Sequence, residues 1–188
     1  VSYLIERGLD IHRKDKHNTT PFLLACGKGR IKTAQLLEQK GADVTAVGHL
    51  GRSALHYAAN GGHTELVTFW IERVSDINRK TNNNDTPFLL ACLNGHMKTA
   101  QLLEQKGADV TAVGLYGRSA LQHAAYGGHT ELVSYLIERG LDINGKDNSE
   151  NTSLYLACWQ GKVDVVKRLI EKDADVSIVD KHGRTPLH

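Results

Sequence analysis

The sequence predicts an all-α solenoid, a stack of helix-turn-helix units, and three observations carry that expectation. Thr20, Ser53, Thr86, Ser119, Thr152 and Thr185 stand 33 residues apart, and each opens a related phrase, from TPFLLAC at Thr20 to TPLH at Thr185. A second phrase follows at fixed distance, as GRIKTAQLLEQKGADV, GHTELVTFWIERVSDI, GHMKTAQLLEQKGADV, GHTELVSYLIERGLDI and GKVDVVKRLIEKDADV. The stretch TAQLLEQKGADVTAVG recurs unchanged at 33–48 and 99–114, and the block 19–84 is about 70% identical to 85–150. A helical pair of this length cannot bury its own apolar faces, so stacked neighbours must build one continuous core. A two-unit block has been duplicated.

Each unit reads as a short helix, a turn, a longer helix and an extended loop. Thr20, Thr86 and Thr185 precede Pro21, Pro87 and Pro186, an N-cap hydroxyl followed by a proline whose missing N–H costs nothing there. The first helix carries Ala25, Ala58, Ala91, Ala124 and Ala157 where helices must approach closely. It ends near Gly29, Gly62, Gly95, Gly128 or Gly161. The second helix has its apolar stripe in pairs such as Leu36-Leu37, Leu102-Leu103 and Leu136-Ile137, and Gly41, Gly107 and Gly140 stop it as left-handed caps. Val74 occupies that cap position in the remaining copy. A β-branched residue there either takes another cap or stores roughly 1–2 kcal/mol of strain, so Val74→Gly is expected to stabilise the array by about 1 kcal/mol if the geometry is retained. The chain begins inside a second helix at Val1 and stops within TPLH, so further repeats are expected beyond one or both ends.

Composition narrows the function. The 188 residues are 40% hydrophobic, and 23 Lys and Arg against 21 Asp and Glu give a charge of +2, no basis for a nucleic-acid surface. No run approaches the roughly 18 to 20 apolar residues needed to span a bilayer, and VSYLIERGLD lacks the segments of a signal peptide. Cys26, Cys92 and Cys158 are 66 residues apart, too distant in a regular stack for a disulfide. Three unpaired, buried thiols point to a reducing, cytoplasmic compartment, and a nuclear location is compatible with them. His63, His96 and His129 recur one per unit after a glycine, so they read as imidazoles bridging adjacent loops and not as a metal site. The Asp residues after the second helices read as turn formers. No HExxH, paired CxxC, GxxxxGK or dinucleotide fingerprint is present, so the chain is expected to be no enzyme and to hold no cofactor or metal.

A 33-residue period carrying TPLH at 185–188, AAYGGHTELV at 124–133 and GADV at 41–44 and 107–110 resembles the ankyrin repeat. The resemblance covers a trailing half-repeat at 1–14, repeats at 15–47, 48–80, 81–113, 114–146 and 147–179, and the opening of another at 180–188. It implies a single domain, an all-α ankyrin-repeat solenoid with β-turn or hairpin loops, its first helices and loop tips forming a concave recognition face. His56 and His188 match the family's histidine that pairs with the helix-opening hydroxyl, while Leu23, Leu89, Gln122 and Tyr155 depart from it. The family's chemistry also implies candidate asparagine hydroxylation at Asn144, and at Asn78, where Trp70 replaces the upstream leucine. Mass spectrometry of the native protein from oxygen-replete cells, showing one added oxygen or none, checks that expectation.

Variation on the implied recognition face then locates a candidate partner site. Trp70 aligns with scaffold leucines and is expected in the core. Tyr126 and Trp159 end first helices where Gly27, Asn60 and Leu93 stand in other units, a range no packed scaffold position tolerates. Leu93, Tyr126 and Trp159 should align across successive repeats, with Tyr116 and Arg118 projecting from the adjoining loop and His123 one helical turn before Tyr126. The expected function is a non-catalytic scaffold, monomeric, binding a protein or peptide through this row, with Tyr126 and Trp159 as anchors. A mainly architectural spacer, or the cytosolic segment of a larger channel or adaptor, is the alternative. Nucleic-acid or lipid binding is disfavoured by the Asp and Asn interspersed among Arg52, Arg118 and Arg184.

Overall fold

The structure is a computed structural model that describes Gly8, residues 10–73 and residues 76–186. Val74, the helix expected from Val1 and the capping histidine His188 lie outside the described residues. Ten α-helices follow one another in the described chain, with no strand among them. They are α1 (Pro21–Gly27), α2 (Ile31–Gln39), α3 (Ala54–Asn60), α4 (Thr64–Ile71), α5 (Pro87–Leu93), α6 (Met97–Gln105), α7 (Ala120–Gly127), α8 (Thr130–Glu138), α9 (Ser153–Trp159) and α10 (Val163–Glu171). Short 3₁₀ turns, His49–Gly51 and Leu115–Gly117, precede α3 and α7. Neighbouring loops are joined by single backbone bonds, Asn82 N to Leu50 O at 2.8 Å and Asn148 N to Tyr116 O at 2.9 Å, instead of paired strands.

The helices start where hydroxyls satisfy their open N–H groups. Thr20, Thr86 and Thr152 accept from the amides of Leu23, Leu89 and Tyr155 at 3.2–3.3 Å. Ser53 and Ser119 form reciprocal caps: His56 Nδ1 accepts from Ser53 N, and Gln122 Oε1 accepts from Ser119 N at 2.8 Å. The far end of each side chain then crosses to the next repeat. His56 Nε2 donates to Arg79 O at 2.9 Å, and Gln122 Nε2 donates to Asn151 O at 2.8 Å and Gly145 O at 3.1 Å. Gln122, although not a histidine, does the histidine's work.

The first helices α1, α3, α5, α7 and α9 stack on one another in sequence, each also packed on the second helix of its own unit. Fully buried Ala58, Ala91, Ala124 and Ala157 allow that approach. Trp70 is 1% exposed, with T-shaped contacts to Phe22 and Phe69 at 5.1 and 4.8 Å, so it belongs to the core as expected.

A ladder of imidazoles locks the turns between helices. His63 Nε2 donates to Gly27 O, His96 Nε2 to Asn60 O and His129 Nε2 to Leu93 O, each at 3.0 Å. A carbonyl can only accept, so Nε2 carries the proton in every rung. The preceding unit must offer a glycine, because a Cβ at Gly29 would lie 2.6 Å from the His63 ring and the backbone there has φ 70°. The ladder ends at α7: Lys162 stands at the next rung, so no imidazole caps the Tyr126 carbonyl.

Candidate functional site

Past the end of the ladder, α7, α9 and three successive loops enclose an open groove of about 830 Å³. Tyr116, Tyr126, Tyr155 and Trp159 are its aromatic walls, and Arg118, Asp147, Asp180, Lys181 and Arg184 supply its charges. Tyr116 is held at the loop tip with φ 61°, a left-handed conformation that a bulky residue adopts only under constraint. Its own carbonyl, bonded to Asn148 N, provides part of that constraint. The ring is 59% exposed, and Trp159, on the last turn of α9, is 67% exposed. Both rings face solvent where most large apolar side chains of the stack are covered.

Arg118 ties the aromatic wall together. Its guanidinium carbon lies 5.2 Å from the Tyr116 ring centroid and 4.9 Å from that of Tyr126, and Nε donates to Asp147 Oδ2 at 3.3 Å. Asp147 is saturated: Oδ1 accepts from the amides of Ser149 and Asn151, and Oδ2 also accepts from Asn151 Nδ2. Asp180 repeats this design one unit later, accepting from His182 N and Arg184 N on Oδ1 and from Arg184 Nε at 2.8 Å on Oδ2. Burial would push the Asp180 carboxyl up, but the bonds from Arg184, His182 and Tyr155 outweigh it and hold the group well below the usual carboxylate range. Tyr155 leans on the same pair, its phenol pushed up by burial and by the hydrogen bond to Asp180.

Four of the six predicted partner-site residues, Tyr116, Arg118, Tyr126 and Trp159, therefore meet in one groove. Two do not. Leu93 is half-buried and outside the lining, and its carbonyl serves the His129 rung. His123 is buried, 4% exposed, so it offers no contact surface, because its helical position holds buried Leu90 and Leu156 in neighbouring units. Its Nε2 lies 3.8 Å from Asp85 Oδ1, and neither ring nitrogen has a hydrogen-bond partner among the described residues. Burial pushes the imidazole down to about 4 against the attraction of Asp85.

Tyr155, Asp147, Asp180 and Arg184 were not anticipated as groove residues, yet signals existed. Tyr155 breaks the pattern at the capping-histidine position, Arg184 repeats Arg118 at 66 residues, and Asp180 repeats Asp147 at 33. Cys158 also lines the groove and is half-buried, unlike the fully buried thiols of Cys26 and Cys92. All three are free, and burial pushes every thiol up, Cys26 to about 12, so none is poised as a nucleophile.

The two candidate hydroxylation sites bind the next repeat. Asn78 Oδ1 accepts from Asp109 N at 2.8 Å, and Asn144 Oδ1 from Asp175 N at 2.9 Å. The neighbouring aspartates are turn formers, as in Asp43, which accepts from both the amide and the hydroxyl of Thr45. Among the described residues no cluster of acids, histidines and cysteines could hold a metal, and no helix is long and apolar enough to cross a membrane. Both groove carboxylates, Asp147 and Asp180, have their oxygens engaged by hydrogen bonds from within the protein.

A family model described as ankyrin repeats in three copies matches residues 46–114 and 106–180. Ankyrin repeat protein FPV244 of fowlpox virus is 33% identical over 121 residues, covering 64% of this chain and 18% of its own length. E3 ubiquitin-protein ligase XBAT32 of Arabidopsis thaliana is 31% identical over 141 residues, covering 60% of this chain and 28% of its own. The transient receptor potential cation channel subfamily A member 1 homolog of Caenorhabditis elegans is 31% identical over 115 residues, 61% of this chain and 10% of its own. The chain thus spans less than a third of each of these relatives.

Proposed function

Because this chain belongs to the ankyrin-repeat family, whose repeats generally mediate protein–protein interaction and are generally non-catalytic, we propose that it binds a protein or peptide in the groove between α7 and α9. The observation that carries the reading is the exposure of Trp159 and Tyr116 beside an arginine already clamped for contact. Large aromatic rings combine apolar area with few rotatable bonds, which is why they anchor interfaces. Tyr126 and Trp159 are the anchors, and Arg118 fixes the Tyr116 and Tyr126 rings in place. Free thiols at Cys26, Cys92 and Cys158 support a cytoplasmic setting. Hydroxylation of Asn144 or Asn78 is a separate proposal, carried by the resemblance.

Substituting Tyr126 or Trp159 by alanine tests the reading against the native partner while circular dichroism follows folding. Each is expected to stay folded and to lose roughly 2 kcal/mol or more of binding. Folded variants that change binding by less than about 0.5 kcal/mol would place the contact surface elsewhere. The second reading, an architectural segment of a larger channel or adaptor, draws support from the likeness to the channel homolog. It predicts that both alanine variants leave partner binding intact.

A further inference from the structure

We infer that the groove's occupant is an acidic segment of its partner, an extended peptide carrying Asp or Glu beside an aromatic or aliphatic side chain. This rests on the groove being the binding surface, as proposed above, and adds the chemistry of what enters it. Hydrogen-bonding capacity in the groove is lopsided. Both carboxylates are consumed inside the protein: Asp147 accepts four hydrogen bonds, and Asp180 accepts from the amides of His182 and Arg184 and from the Arg184 guanidinium, with each side chain only 1% exposed. A cationic partner would find no free acceptor among them.

The donors are in surplus. Arg118 uses Nε alone, and its two terminal nitrogens have no hydrogen-bond partner among the described residues. Arg184 stays half exposed beside the same opening. Lys181 is exposed and makes no ion pair among the described residues. With the two Arg–Asp pairs cancelling, Lys181 leaves the lining one positive charge in excess. Arg118 and its terminal nitrogens sit between two aromatic rings, a geometry that suits a carboxylate delivered together with an apolar side chain. Trp159 and Tyr116, more than half exposed, offer the platforms for that second group.

The test uses a randomised peptide display library selected on the chain, followed by titration of a fluorescein-labelled enriched peptide. Enriched sequences are expected to carry Asp or Glu near Trp, Phe, Tyr or Leu. Changing the acid to its amide should weaken binding about tenfold, and added salt or Lys181→Glu should weaken it further, whereas Lys181→Arg should not. Trp159→Ala should abolish binding of the same peptides. Enrichment of basic or uncharged peptides that still need Trp159 overturns the acidic assignment and leaves the groove as the binding surface. Peptides indifferent to both Trp159→Ala and Tyr126→Ala overturn the groove itself. A selection that enriches nothing overturns the inference that a short acidic segment suffices.

Discussion

The two copies of the duplicated block, 19–84 and 85–150, share much of their scaffold and differ most visibly at inner helix ends and loop tips. The second-helix stretch TAQLLEQKGADVTAVG is identical in both, as are the alanines that let first helices touch. Differences at the inner helix ends and loop tips include Gly27 against Leu93, Asn60 against Tyr126, Leu50 against Tyr116 and Thr81 against Asp147, and a second group, Phe69 against Tyr135 and Trp70 against Leu136, lies on the second helix. Stacking constrains the outer faces because each must fit its neighbours, whereas positions that open to solvent are free to change.

Some differences are coupled replacements that keep one job. In the first copy the His49 amide donates to Tyr57 Oη, which is itself paired with Thr19 Oγ1 at 3.2 Å. In the second, the Leu115 amide donates directly to Asp85 Oδ1 at 3.0 Å, and His123 takes the place of Tyr57. Both arrangements need a glycine before the tip, since a Cβ at Gly48 would meet Tyr57 Oη at 2.5 Å and one at Gly114 would meet Asp85 Oδ1 closer still. The exchange of Thr81 for Asp147 matters more. Arg52 Nε is buried without a hydrogen-bond partner among the described residues, while Arg118 Nε has one.

The largest expected effect breaks that distinction. Asp147→Ala strips Arg118 of its partner in a site where the two side chains are 11% and 1% exposed, and should cost about 3–5 kcal/mol in urea denaturation. Asp147→Thr, copying Thr81, should cost less, and Thr81→Asp should stabilise the first copy by about 1 kcal/mol by giving Arg52 an acceptor. An Asp147→Ala chain of unchanged stability would show that the paired arginine is no different from the unpaired one.

Acid should next separate the capping residues His56 and Gln122. Burial first of all holds His56 near 4, well below the ordinary 6.5, although its bonds to Arg79 O and Asp85 O pull the other way. The unfolded chain therefore binds the proton more readily, and stability present above about pH 6.5 is lost as pH falls toward 4, at about 1.4 kcal/mol per pH unit. His123, also near 4, adds a loss of the same sign. His56→Gln should keep the cap, as Gln122 does, and remove up to about 3 kcal/mol of the acid sensitivity. Parallel pH–stability curves for wild type and His56→Gln would refute the assignment.

The smallest effect lies on the outer wall. Tyr135 donates to Glu104, which also accepts from Arg139 Nε at 2.6 Å, while its counterpart Phe69 instead lies under the Arg73 guanidinium at 3.6 Å. Tyr135→Phe, making the copies alike, should cost about 1 kcal/mol in thermal or urea unfolding. A loss as large as that of Asp147→Ala would mean the wall, and not the groove, carries the main polar stabilisation of the second copy.

The 33-residue period determined the architecture by itself, because stacking imposes the same caps, small residues and glycines on every unit. Gly41, Gly107 and Gly140, read from spacing as left-handed caps, have φ of 86–91°. The histidine ladder and the burial of Trp70 were legible for the same reason, each being fixed by its place within one repeat. Part of the groove was legible too: the variability of Tyr126 and Trp159 among equivalent positions marked them as released from packing, and both line it. What only the tertiary structure decided is which variable residues meet and what each side chain still has to give. His123 varies as freely as Tyr126, yet one helical turn carries it into the stack, and a period of 33 cannot distinguish a position facing the groove from one facing the adjacent repeat. Nor could it show that Asp147 and Asp180 spend their acceptors on the protein while Arg118 keeps donors free, because hydrogen-bond satisfaction depends on loops brought together from successive repeats.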